Sequence, residues 1–404
     1  MRHKTRLAVA MFSLLATASN AANAAGPDVI VGDLTGTNVY ARFQGIAAIS
    51  VGTISCNAGD AVLQWNALPS NRHPIISLNM YRLADGRLEH IGQSWVKHGF
   101  KALNNAGNLC NLQCRRNVDN QGLGVGCSDP YSATNNLGPG MRARSDINPS
   151  TGFYDGDKLF DPVRRERITL PQVTPIDRGL QVAETDLMTP GARYFVEGQY
   201  VTADDAESGN SLNNASYREV GVTNPNTGNF AFANLSGTVQ QAAAIRVWPG
   251  AKFTTLDTVE AEAQGRRYTS RITVASRVTP LAGNRFRYEY AVHNQNSERG
   301  IGSFSIDVGA AQITGVGFKA VRSHGEPWSN DPWASGAQGG KVTWSTTAFA
   351  QNPNANAIRW GTMYNFWFES NVGPADGAAS LGRFKPGAAG GDRIEARIDA
   401  PAVR

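Results

Sequence analysis

The chain has 404 residues, 18% of them charged, and a formal net charge of +5. Three of those positive charges, Arg2, Lys4 and Arg6, fall in the first six residues, so the remainder is close to neutral and offers no electrostatic footprint for a nucleic-acid partner. A 41% hydrophobic content excludes a disordered chain, and the length suggests two domains.

Residues 1–24 read as a signal peptide. The basic start is followed by the apolar run "LAVAMFSLLATA" and by the small-x-small tripeptide Ala22–Asn23–Ala24. That run is too short to span a bilayer, and no later stretch approaches the ~20 apolar residues of a membrane helix. The mature chain is expected to begin at Ala25 or Gly26 and to be secreted, periplasmic or extracellular, with no membrane span.

Residues 25–237 are expected to form a β-rich domain. "FQGIAAISVGTISC", "PIISLNMYRL", "RLEHIGQSW" and "ARYFVEGQYVT" carry the β-branched and aromatic composition of strands. Between the third and fourth lies a long loop holding Cys110, Cys114 and Cys127; Cys56 precedes it. Four cysteines in an exported chain predict two disulfides. A four-thiolate zinc site is the rival, but only Cys110 and Cys114 approach the close doublets such sites use. Three pairings are open. Residues 132–162 show little periodicity.

"HIGQSWVKHGF", residues 90–100, concentrates two of the six histidines. As one straight strand it alternates, with His90, Ser94 and His98 on one face and Glu89, Gln93, Trp95 and Lys97 on the other. At ~3.3 Å per residue His90 and His98 are roughly 26 Å apart and share no metal ion. His98, at the strand end, is the candidate general acid or base. Lys97, Asp129 and Tyr131 are its candidate partners; the bland reading is a histidine bonded within a loop-to-strand junction. His73, Met80, His90 and His98 match a copper ligand set in residue type but not in spacing. "TADDAESGNSLNNASYRE", residues 202–219, offers Asp204, Asp205, Glu207, Asn210, Asn213 and Asn214 either to calcium or to a solvated turn of Asx hydrogen bonds.

Residues 238–404 alternate more cleanly. In "NRFRYEYAVHN" Phe286, Tyr288, Tyr290 and Val292 face one way, and Arg285, Arg287, Glu289 and His293 the other, which predicts a half-buried strand. "GSFSIDVG" and "NAIRWGTMYNFWFES" repeat the pattern, the latter placing Ile358, Trp360, Tyr364, Phe366 and Phe368 on one face. Further strands are expected at 244–248, 268–278, 313–321, 341–345 and 392–398. Seven or eight strands without helices predict a two-sheet sandwich. Trp328 and Trp333, in "GEPWSNDPWASG", either stack on a sugar or partner or plug the end of that sandwich.

The sequence has no G-x-S-x-G elbow, no H-E-x-x-H and no P-loop, and "GLGVG" lacks a strand–helix context. "NMYRLADGRLEHIGQSWVKHGF", "GCSDPYSA", "ARYFVEGQYVTADDA" and "NAIRWGTMYNFWF" together resemble a family of secreted bacterial all-β proteins. The resemblance covers most of the mature chain and implies that both halves form one unit. It brings no activity and no catalytic residue with it. "LGPGMRARSDINPSTG" departs from the family's shorter form, so no role passes to Arg142 or Arg144.

The expectation is an all-β chain, a disulfide-tied N-terminal β domain followed by an antiparallel two-sheet β-sandwich. Its expected role is non-catalytic, binding a polysaccharide or envelope partner without a cofactor. The alternative is a hydrolase or lyase acting on a polymer near His98.

Overall fold

The computed structural model describes residues 24–403 apart from 67–69, 99–101, 106, 108, 118, 120, 138–140, 155–159, 162–165, 168–173, 225–228, 264 and 388–390. The expected signal segment, but for Ala24, lies outside the described residues, as do Gly99 and Phe100. The chain is all-β and its sheets are antiparallel. Among the described residues no helix is long and apolar enough to cross a membrane.

The first sheet is built from β1 (Val29–Phe43), β2 (Ile46–Asn57), β3 (Ile75–Ala84), β4 (Arg87–His98), β5 (Leu180–Ala183), β6 (Arg193–Val201), β7 (Ala215–Thr223) and β8 (Ala231–Asn234). Their order is β1–β2–β5–β4–β3–β6–β7–β8; Ser128–Tyr131 also pairs with β2 and Met141–Arg142 with β4. The sheet curls until its ends meet: the Ser216 hydroxyl on β7 donates to the Val31 carbonyl on β1 at 2.7 Å. The curl encloses an apolar core with Val31, Ile49, Ile76, Val196 and Val220. Asp85 and Gly86, both at positive φ, make the two-residue turn that a tight hairpin between β3 and β4 requires.

Disulfides join Cys56 to Cys110 and Cys114 to Cys127, which resolves the open pairing. Both lie around the long loop and anchor it to the end of β2 and the start of the Ser128–Tyr131 strand.

Among the described residues the second half is a sandwich of ten strands: β9 (Lys252–Ala263), β10 (Arg266–Leu281), β11 (Arg285–Asn294), β12 (Ile301–Asp307), β13 (Ile313–Lys319), β14 (Ala334–Gln338), β15 (Lys341–Ser345), β16 (Thr362–Ser370), β17 (Pro374–Arg383) and β18 (Arg393–Pro401). One sheet runs β9–β10–β11–β16–β13 and the other β14–β15–β12–β17–β18. Tyr288, Tyr290, Val292, Phe304, Trp344, Phe366 and Phe368 fill the space between them. Of residues 244–248, expected as a strand, Ala244–Val247 form a 3-10 turn instead.

The polar face of β11 corrects the half-buried expectation. On β11, Glu289 and His293 are buried like Tyr288 and Tyr290 on the opposite face, because the first sheet packs against that side. Tyr81, Leu88, Phe195, Ile245, Trp248, Ala275, Ala291 and Met363 make an apolar patch shared by both halves. Trp360 leaves the face of Tyr364 and Phe366 and joins Ile75 and Val96 of the first half. Gly361, at φ +67°, breaks the alternation there.

Candidate functional site

The described part of the 90–100 stretch, residues 90–98, does not run straight. Opposite β3, β4 carries one extra residue between Gln93 and Val96 and another between His90 and Gly92. Each bulge shifts the alternation by one position, so the expected two-faced segregation fails. Gln93 and Trp95 instead reach the loop after β13. Gln93 Nε2 donates to the Arg322 carbonyl at 3.1 Å, and Trp95 Nε1 donates to the His324 carbonyl at 2.8 Å. His324 Nε2 lies 2.8 Å from the Gln93 carbonyl, and Trp95 packs so closely on Gly325 that a Cβ there would collide with its ring.

Arg144 closes the same seam. It is 1% exposed. Its guanidinium donates to the carbonyls of Ser94 (2.7 Å), Leu78 (3.0 Å) and Gly361 (3.3 Å), and to Asn79 Oδ1 (2.8 Å). A Cβ on Gly361 would stand 2.7 Å from it. Burial lowers the Arg144 guanidinium to about 10, so it remains charged at neutral pH. Glu197 completes the buried network: it accepts from Asn79 Nδ2 (2.8 Å), the Tyr81 hydroxyl (3.0 Å) and the Ala244 N–H (2.6 Å). These satisfied polar groups replace water where the halves meet.

His90 belongs to the seam as well. Its Nδ1 accepts from the Met363 N–H at 3.2 Å and its Nε2 donates to the Gly92 carbonyl at 2.9 Å, an arrangement only the neutral ring can make. Burial, and then the charge of Arg144, hold this imidazole well below its ordinary range. Its ring stacks on Tyr81 at 4.6 Å.

His98 is 0% exposed, so it does not sit on an open rim. Its ring packs on His73 at 6.0 Å and edge-on to Tyr154 at 4.8 Å, a neighbourhood with no sequence signal because His73 precedes β3 and Tyr154 lies in the irregular segment. Lys97 is also buried, with Nζ 2.5 Å from the His98 carbonyl. Asp129 and Tyr131 are buried on the strand paired with β2, whereas His98 and Lys97 end β4. Burial raises the Asp129 carboxyl to about 7, against a hydrogen bond from the Leu103 N–H at 2.9 Å. The four residues expected around one open site are thus all interior.

Of the two loop tryptophans, Trp333 is not a platform. It is 4% exposed and stacks on Phe318 at 5.4 Å, plugging the sandwich as the second reading had it. Trp328 is half-buried, with the Arg359 guanidinium 5.0 Å from its ring centre.

The 202–219 segment spends its oxygens on the start of the folded chain. Asp205 accepts from the Val29 N–H (3.0 Å) and Asn214 Nδ2 (2.8 Å), Asp204 accepts from the Gln64 N–H (2.7 Å), and Asn210 donates to the carbonyls of Ala25 and Pro27 (2.9 Å each). Glu207 pairs with Arg72 at 2.7 Å and Arg266 at 2.8 Å. Among the described residues no three His, Cys, Asp or Glu side chains are grouped to hold a metal ion.

A cleft of about 680 Å³ opens where the loop after β13 meets the first sheet. Ile46, Ile91 and Gln181 line one wall and Arg322, His324 and Trp328 the other. Of this set the sequence singled out Trp328 as a binding candidate; Arg322 and His324 share its loop, whereas Ile46, Ile91 and Gln181 come from segments far apart in the chain, and no spacing rule joins the two walls.

No protein-family model and no curated protein matches the chain. Among solved structures it is similar to the N-terminal domain of the Streptococcus gordonii adhesin Sgo0707, at 8% identity over 94% of this chain and 96% of that one, with a TM-score of 0.19. A likeness that distant carries no argument about fold or function.

Proposed function

We propose that the chain is an exported, non-catalytic binding protein that seats its ligand in the cleft between its two halves. The observation that carries this reading is the cleft's construction. It is walled by both halves, it has room for a small ligand or a few units of a polymer, and an aromatic ring stands on its rim. Its histidines are engaged by backbone groups rather than by a second titratable side chain, as a general acid–base pair would need. The rival reading, a polymer hydrolase or lyase working through His98, draws support from the near-neutral Asp129 carboxyl, the range suited to general-base work. Full burial of both residues counts against it.

Two measurements on the purified mature chain separate these readings. Co-sedimentation with a panel of insoluble polysaccharides and envelope fractions is expected to capture it, and Trp328→Ala is expected to weaken capture. Turnover of any extracellular polymer that disappears in His98→Ala while the fold survives would overturn the non-catalytic reading.

A further inference from the structure

The charges on the cleft wall are nearly all committed. Lys319 Nζ lies 2.8 Å from Glu89 and 3.8 Å from Asp186, and Asp186 also takes Arg82 at 2.7 Å. Asp177 accepts the Thr174 hydroxyl and N–H at 2.5 and 3.1 Å. Both Glu326 oxygens are filled by backbone N–H groups, from Arg144 at 2.6 Å and Ser145 at 3.1 Å. His90 and His324 bond to backbone as described above. Arg322 differs. Its carbonyl holds Gln93, but its guanidinium is exposed and makes no ion pair or hydrogen bond among the described residues.

Among the described residues the uncommitted charge of the cleft is therefore a single cation with a planar, two-pronged donor face, on the same wall as a half-exposed indole. A guanidinium fork matches one carboxylate bidentately. An indole face suits the C–H surface of a sugar ring. Polymers with a dianionic phosphate monoester on each unit fit poorly, because among the described residues the wall sets one free cation against three acidic side chains. Resting on the cleft reading above, we infer that the ligand is a carboxylate-bearing saccharide, a uronic-acid glycan, with Arg322 on the carboxylate and Trp328 against the ring.

The test uses the full mature chain and three uronate oligosaccharides: oligogalacturonate, an alginate oligomer and a hyaluronan oligomer. Each is titrated beside its methyl ester, which keeps the ring and removes the charge. Calorimetry is expected to show at least one acid form binding tenfold or more tighter than its ester, with affinity falling as salt rises. Arg322→Ala should erase the difference between acid and ester, and Trp328→Ala should weaken both. Because the Arg322 side chain has no partner to lose, its variant should melt with the wild type. Equal binding of acid and ester, unchanged in Arg322→Ala but lost in Trp328→Ala, would overturn the uronate assignment and leave the cleft reading standing. No binding by any of the six probes would also overturn it. If the polysaccharide and envelope captures fail as well, the binding-protein reading falls with it.

Discussion

Asp129→Asn should flatten the fall in stability between about pH 4 and pH 7. The carboxyl is fully buried and burial raises it from 3.8 to about 7. In the unfolded chain it loses its proton near the ordinary value, so between those limits the unfolded state binds fewer protons than the folded one. The Asp129 contribution is then complete below pH 3.8, declines as pH rises and is gone above about 7. At about 1.4 kcal/mol per pKa unit, the gap corresponds to about 4 kcal/mol. Asparagine keeps the Leu103 N–H bond but replaces the second carboxyl oxygen with an amide group, at a pH-independent cost of about 1–3 kcal/mol. The assay is urea unfolding of both proteins at half-unit steps from pH 4 to pH 8.5, followed by circular dichroism. Wild type should be the more stable at pH 4, and the variant should overtake it towards pH 8, the difference between them moving by about 4 kcal/mol. A wild-type-minus-variant difference that stays constant over that range would refute the reasoning, since it would mean that Asp129 titrates alike in both states.

The histidines act in the opposite direction. His324 is lowered to about 4, first by burial, so its contribution is present above pH 6.5 and is lost as pH falls towards 4; His324→Gln should remove about 3 kcal/mol of that acid sensitivity, read from the same titrations. Arg144→Ala removes a donor from the Ser94, Leu78 and Gly361 carbonyls and from Asn79 Oδ1, of which Gly361 keeps Asn79 Nδ2, and should cost about 3–5 kcal/mol; Arg144→Lys should not rescue it, because an ammonium lacks the fork that reaches all four. Thiol titration of denatured, unreduced protein should give no signal. By loop-closure entropy the Cys56–Cys110 bridge, spanning 54 residues, should contribute about 4 kcal/mol, against about 3 for Cys114–Cys127, spanning 13, as paired Cys→Ser variants would report. Residues 238–404 expressed alone should unfold cooperatively, since the sandwich closes a core between its own two sheets; a broad, non-cooperative melt would show that the seam is needed for folding.

Alternation decided much of this protein before any long-range contact was considered. Phe286, Tyr288, Tyr290 and Val292, or Phe304 and Ile306, can be recognised as one face of a strand because side chains alternate with period two whatever they pack against. The all-β class, the sandwich and the two disulfides follow from such local facts together with cysteine count. Local pattern also failed in definite places. The bulges in β4 arise from pairing with β3, and they turned residues 90–98 from an expected catalytic edge into the joint that holds the loop after β13. The polar face of β11 looked solvated because a polar residue reads the same in sequence whether it meets water or a partner. Only the tertiary structure placed Arg87 at 2.8 Å from Glu289 and the first sheet against that face. The cleft has the same origin. Arg322 and Trp328 lie on one loop, but Gln181 and Ile91 come to face them through the docking of two sheets, and no spacing along the chain encodes that. Secondary structure needs only short-range sterics and alternation, whereas a site between two halves depends on which polar groups find partners when those halves meet.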